Sequence, residues 1–260
     1  MTPILLLGAG RMGQALIAGW EAAGAFSPSE LMVRDPHPSA DLVAQSLALN
    51  PPDEDLSRAK TVLLAVKPQI WRQAAAEVSA LLAPDAVIVS IAAGVSSHDI
   101  AEAFGGRRVA RVMPTTAVAI RRGTASIFSP DPLARARAHA LFAPVAQVVD
   151  LDDEELMHAA TAVSGSGPAY LYAFVEALEA AGLKAGLDAE AAARLARSTV
   201  IGAAALLEQG GQPAELRRQV TSPGGTTQAA LEVLIGGGAL VDLMVESVAA
   251  AIARSRELGG

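Results

Sequence analysis

Ile4-Leu5-Leu6-Leu7-Gly8-Ala9-Gly10-Arg11-Met12-Gly13 is the stretch on which the fold turns. Four successive apolar residues mark a strand covered on both faces, as in a parallel sheet. A G-x-G-x-x-G follows at once, and Ala15, Leu16, Ala18 and Trp20 then carry helical spacing. A strand that turns through such glycines into a helix makes a phosphate site. Gly8 gives the tight turn, Gly10 admits a pyrophosphate against the backbone, and Gly13 lets the helix pack on the strand. The motif alone is weak; this context predicts a dinucleotide site, with Gly8, Ala9, Gly10, Arg11 and Met12 against the cofactor.

Leu31-Met32-Val33 reads as the second strand, closed by Arg34-Asp35-Pro36 where such a fold meets the adenosine ribose. Asp35 suits a ribose 2′-hydroxyl and Arg34 a 2′-phosphate, so NADH and NADPH both stand. The spacing predicts a helix over 41–49. Thr61 to Val66, Ala86 to Ile91 and Val109 to Met113 are further buried runs, with a helix over 70–82 between the first two. Thr124 to Phe128 and Val145 to Leu151 are strand candidates around a helix over 133–142. This alternation predicts a doubly wound parallel sheet, whose ligands sit outside the carboxyl ends of the strands. Val66, Lys67, Pro68, Ala92 and Ala93 lie at such ends and join the cofactor-binding set, Lys67 to offset phosphate charge. Each of these has a plainer reading as a turn or surface residue.

After residue 152 the strand signals stop and the chain reads as helix with Ala-rich faces. The expected organisation is therefore α/β: a Rossmann-like dinucleotide-binding domain over 1–152 and an all-α domain over 153–260. Asp150, Asp152, Asp153, Glu154 and Glu155 at the junction read as a solvated helix start. The helical half is apolar enough to expect a second copy against it. A net charge of −7 and no basic run exclude nucleic acid as a main partner. No cysteine is present, so there is no thiol nucleophile or thiolate metal site. The four histidines have no spaced partners, and no metal is expected. Met1-Thr2-Pro3-Ile4 lacks the flank of a leader, and Ser164 to Pro168 breaks the longest uncharged stretch, so a cytoplasmic protein outside the membrane is expected.

Ser222-Pro223-Gly224-Gly225-Thr226-Thr227 is the second stretch with chemistry in it. Pro223 stops the helix before it, the glycines permit a sharp turn, and the apolar run from Ala229 predicts a new helix with Thr as its cap. The first amides of a helix lack intrahelical partners and carry partial positive charge, so an open turn there receives an anion such as a carboxylate. An ordinary corner between helices explains the same residues.

Val163-Ser164-Gly165-Ser166-Gly167-Pro168-Ala169-Tyr170 and Ser222 to Thr227 resemble the two C-terminal signatures of pyrroline-5-carboxylate reductases. Ala65-Val66-Lys67-Pro68 and Ser90-Ile91-Ala92-Ala93-Gly94-Val95 match that family in the same order, so the resemblance covers essentially the whole chain. It implies reduction of 1-pyrroline-5-carboxylate to proline with NADH or NADPH, and a helical dimerisation domain whose dimers join into larger rings in many members. It also implies that Thr227 bonds the ring nitrogen and donates the proton, and that Ser222, Gly225 and Thr226 hold the substrate carboxylate. One departure stands out: the family usually has Met-Pro-Asn-Thr-Pro where this chain has Met113-Pro114-Thr115-Thr116-Ala117. The alternatives are another imine or hydroxy-acid oxidoreductase, of which the hydroxy-acid enzymes normally supply a Lys, His or Asn in the helical half, and a non-catalytic dinucleotide sensor, which has no use for Ser222 to Thr227.

Overall fold

The computed structural model describes residues 1–45 and 47–259, with the side chains of 258 and 259 aside; Ser46 and Gly260 lie outside the described residues. The chain divides into two compact units. One runs from Met1 to Gly165 and takes in the last helix from Ala251 onward; the other is Ser166–Ala250.

The first unit is built on eight strands: β1 (Ile4–Leu7), β2 (Leu31–Arg34), β3 (Ala48–Leu49), β4 (Thr61–Leu64), β5 (Val87–Ser90), β6 (Val109–Pro114), β7 (Gly123–Phe128) and β8 (Ala146–Asp150). They order as β3-β2-β1-β4-β5-β6-β7-β8. β1 sits between β2 and β4, with Ile4 opposite both Leu31 and Thr61. Period-two alternation sends the core two ways. Ile4, Leu6, Val33, Leu63 and Val89 pack with Leu16, Trp20, Leu141 and Phe142 from α1 (Arg11–Ala23) and, by chain order, α5 (Pro132–Phe142). Leu5, Leu7, Val62, Leu64 and Ile88 pack with Trp71, Val78, Ile100 and Phe104, on and beside α3 (Trp71–Val78) and α4 (Ser97–Ala103). Helices cover both faces, which is why the central strands β1, β4 and β5 are largely apolar.

Two expectations need correction. The sheet is parallel except at one pairing: β7 runs antiparallel to β6, with Val112 opposite Ile127. The connection is a 3-10 turn, Thr116–Ile120, closed by Arg121 at φ 57. Residues 115–122 are too few for the crossover a parallel neighbour requires. The helix expected over 41–49 is a single turn, α2 (Ala40–Val43), capped by Ser39, and Ala48–Leu49 pair as β3 with β2. Asn50, at φ 49, ends the pairing, and its amide donates to the Val33 carbonyl at 2.7 Å. The composition shift near residue 152 marks the end of the strands, whereas the structural division follows Gly165. Between them α6 (Leu156–Ala160) and a π-helical turn, Thr161–Gly165, belong to the sheet unit.

The second unit holds α7 (Gly167–Lys184), α8 (Ala189–Glu208), α9 (Pro213–Gln219), α10 (Thr226–Ile235) and the first part of α11 (Ala239–Gly259). Pro168 stands in the first turn of α7, where its missing N–H costs nothing. Only Ala192 and Ala196 of α8 are buried, while Leu171, Tyr172, Phe174, Leu195, Ile201 and Leu206 are exposed. The run Thr226–Glu257 is apolar enough for a membrane span by composition, but Gly237 at φ 63 breaks it into two helices.

Candidate functional site

The glycine loop is fixed by contacts that tolerate no side chain. Gly8 lies at φ 87, and a Cβ there would stand 2.8 Å from Val66 Cγ1. A Cβ on Gly13 would meet the carbonyl oxygen of Gly8 at 2.5 Å. A Cβ on Gly10 would meet nothing within 4 Å. So two glycines serve packing and the third opens a surface at the N-terminus of α1. Gly10 is also the N-cap of that helix and gives it no side-chain capping bond, which leaves its first amides for an anion.

Two clefts flank Val66 at the carboxyl ends of the strands. One, of ≈ 110 Å³, is lined by Gly8, Arg34, Pro36, Val66, Gln73 and Glu77 among others. The second, of ≈ 280 Å³, is lined by Gly10, Arg11, Met12, Ala65, Val66, Lys67, Ile91, Met113 and Pro114. The open face of Gly10 and the uncapped α1 amides between these clefts fit a dinucleotide pyrophosphate. The sequence-predicted residues Gly8, Gly10, Arg11, Met12, Arg34, Val66 and Lys67 come together here. Asp35 is joined to them, since its carboxylate accepts the Ala9 amide at 2.6 Å. Pro68, Ala92 and Ala93 line neither cleft; Ala92 is buried, and its amide donates to Ser90 Oγ at 3.2 Å. Ile91 takes the position on the cleft wall that Ala92 and Ala93 were expected to hold.

The departure at Thr115 has a local role. Its Oγ1 accepts the Thr124 amide at 3.0 Å, and its own amide donates to the Thr124 carbonyl at 2.9 Å. The hydroxyl thus pins the start of the β6–β7 turn, while Met113 and Pro114 face the cleft.

Sequence reasoning missed Glu154. Rather than lying on a solvated helix start, its carboxylate accepts from Arg111 Nη1 at 2.8 Å, from the Ser97 amide at 2.6 Å and from Ser97 Oγ at 2.7 Å. Arg111 is 4% exposed, in the middle of β6. Burial alone would raise the Glu154 pKa; the Arg111 and Ser97 hydrogen bonds outweigh it and hold the carboxyl below its ordinary value. The hub therefore ties β6, the N-terminus of α4 just after the β5 loop, and the segment entering α6. A charged residue inside the apolar β6 run was the only sequence signal for it.

The second-unit turn stands by itself. The Gly225 amide bonds the Ser222 carbonyl at 3.0 Å across Pro223 and Gly224, with Gly224 at φ 70, as a type II turn requires. The Gly224 amide donates to Gln228 Oε1 at 2.8 Å. The N-cap of α10 is Gly225, so the expectation of a Thr cap is corrected. A Cβ on Gly225 would lie 2.4 Å from Ser222 Oγ and 3.1 Å from the Ser222 carbonyl oxygen, so a side chain there would force Ser222 to shift. Thr226 and Thr227 are the first two helical residues, and among the described residues the Thr227 hydroxyl makes no hydrogen bond. The Thr221 hydroxyl folds back instead: its Oγ1 donates to the Arg217 carbonyl. Half-buried Thr227 thus presents an unspent donor at a helix N-terminus. Among the described residues no cluster of three or more metal-ligating side chains exists.

Residues 154–258 match the family model described as pyrroline-5-carboxylate reductase dimerisation, and residues 3–94 match NADP oxidoreductase, coenzyme F420-dependent. A pyrroline-5-carboxylate reductase of Synechocystis is 37% identical over 98% of this chain and 97% of that protein. One of Pseudomonas aeruginosa is also 37% identical, over 98% and 96% of the two chains. A solved pyrroline-5-carboxylate reductase from Coxiella burnetii superposes with TM-score 0.90 at 31% identity, covering 100% of this chain and 99% of that one. A Plasmodium falciparum pyrroline carboxylate reductase solved with NADP bound gives TM-score 0.85 at 26% identity, covering 100% and 98%.

Proposed function

The chain belongs to the pyrroline-5-carboxylate reductase family, and from that premise we propose how its own residues carry the family's reaction. It is an NAD(P)H-dependent oxidoreductase that reduces 1-pyrroline-5-carboxylate to L-proline, the last step of proline biosynthesis. When bound, the reduced nicotinamide supplies the hydride for the imine carbon. Gly8, Gly10, Arg11, Met12, Val66 and Lys67 hold the dinucleotide along the two clefts, with Ala9 and Asp35 joined behind them. Ser222, Gly225 and Thr226 receive the substrate carboxylate at the α10 N-terminus, where backbone amides and the helix dipole favour an anion. The Thr227 hydroxyl bonds the ring nitrogen and delivers its proton. No nucleophile or metal is called for, because positioning accounts for most of the rate in such a transfer.

The observation that carries this reading is the α10 N-terminus: a glycine cap with an unspent threonine hydroxyl two residues beyond it. The helical unit makes the chain a homodimer, its exposed Leu, Ile and Phe residues being the surface for a second copy. We further propose a cytoplasmic enzyme whose dimers assemble into a ring. Purified protein should oxidise NADH or NADPH in proportion to added pyrroline-5-carboxylate, read as loss of the reduced cofactor's absorbance. No substrate-dependent loss with either nucleotide, on folded protein, overturns the proposal.

A further inference from the structure

We infer that this chain takes NADH in preference to NADPH, and that Asp35, with Asp53 behind Arg34, sets the preference. The inference rests on the dinucleotide reading above and deepens it. Arg34 and Asp35 point to opposite cofactors from sequence; their hydrogen bonds separate them.

Asp35 is held on every side. One carboxylate oxygen accepts the Ala9 amide at 2.6 Å and the other the His37 amide at 2.8 Å. Its backbone amide donates to Asn50 Oδ1 and its carbonyl accepts Asn50 Nδ2, each at 2.9 Å. Asn50 in turn donates its amide to the Val33 carbonyl at 2.7 Å. The carboxylate is thus built into the edge of the glycine loop. Each of its oxygens keeps acceptor capacity, which suits a hydroxyl donor. A 2′-phosphate brings about −1.5 to −2 charge and only acceptors, so it meets this carboxylate as a like charge.

The cation at this corner is itself charge-paired, and two of the residues that follow it have no amide to offer. Arg34 is the only cation lining the smaller cleft, and its Nη1 is paired with Asp53 Oδ1 at 2.9 Å. Glu77 lines the same cleft with negative charge. Pro36 and Pro38 have no N–H to offer. The His37 amide is used by Asp35 at 2.8 Å. With Arg34 offset by Asp53, the corner presents net negative charge to the ribose.

The test is direct binding of NADH and of NADPH, each titrated by fluorescence on the intact chain without substrate. NADH should bind about tenfold or more tighter at low salt, the gap narrowing as salt screens the repulsion. Asp35→Asn keeps an acceptor for the Ala9 amide and removes the charge; it should bring the two affinities within about threefold, mainly by tightening NADPH. Asp53→Asn releases Arg34 at an exposed position and should tighten NADPH a fewfold while leaving NADH unchanged, which keeps the inference testable if the Asp35 variant fails to fold. Equal or tighter NADPH binding by the parent overturns the inference, as does an unchanged ratio in folded Asp35→Asn. Binding of neither nucleotide overturns it together with the cofactor reading. A clear NADH preference without pyrroline-5-carboxylate-dependent oxidation overturns the substrate reading alone.

Discussion

The two glycine-rich turns of this chain do similar work by different means. The loop after β1 is locked from outside: Gly8 against Val66, Gly13 against the Gly8 carbonyl, Asp35 against the Ala9 amide. The turn before α10 is locked from within, by Ser222, Pro223, the positive φ of Gly224 and the Gln228 side chain. The first sits on a sheet whose central strands β1, β4 and β5 are wholly buried; the second lies in a unit whose helices leave many of their large apolar residues exposed. A site built on long-range packing inherits its precision from the core. A site built on local backbone geometry must carry its specification within a few residues, and that is why the second turn reads as a signature.

The sharpest way to break this comparison is at Thr227. Thr227→Ala keeps the α10 amides and deletes the hydroxyl. The expected fall in kcat is roughly ten- to a thousandfold, the range from one lost hydrogen bond to one lost proton donor, with KM changing less. Thr227→Ser should recover much of it. The side chain caps nothing in the structure, so stability should move by less than about 0.5 kcal/mol. A kcat within twofold of the parent on folded dimer would leave the turn a corner only.

The next effect tests whether the sheet end depends on its buried ion pair. Glu154→Ala strands Arg111, which is 4% exposed, and should cost about 3 kcal/mol, read as the urea midpoint. The acid limb follows the same carboxyl. Its pKa is lower in the folded chain than in the unfolded one, so the unfolded chain binds the proton first as pH falls. The Glu154 contribution is complete above the usual carboxylate value of about 4.3 and is lost as pH drops through the folded value. Glu154→Gln should flatten that part of the stability profile. A parent and Gln variant with parallel acid limbs would count against the hub.

Legibility in the sequence follows the same division. The buried strands announce themselves because both faces are covered, and the glycine loop because its glycines obey a spacing that packing demands. The antiparallel β7 was not legible, since strand direction is decided by the length of the 115–122 connection rather than by any residue in the strand. The edge strand β3 was hidden in a segment whose helical spacing loses to pairing with β2. Glu154 was hidden because an acidic run reads as solvated until a partner from β6 is known. The Gly225 cap was missed because threonine is a good cap by type, whereas the close approach of Ser222 Oγ to Gly225 is not visible in the sequence.

The smallest effects separate the two kinds of lock. Gly13→Ala places a Cβ 2.5 Å from a backbone oxygen, which no rotamer relieves. Helix and strand must part, at a cost of about 1–3 kcal/mol, and nucleotide affinity should fall with it. Gly224→Ala meets nothing within 4 Å, but its φ of 70 is left-handed, so the cost is conformational, about 1 kcal/mol. Asparagine tolerates that region better than alanine, so Gly224→Asn should recover part of the loss. At Gly13 the order reverses, because Asn is larger and the obstacle is contact. Urea unfolding of the four variants reads both orders at once. Ala and Asn ranking the same way at the two positions would mean that the turn before α10 is also held from outside, and that the distinction between the two sites is false.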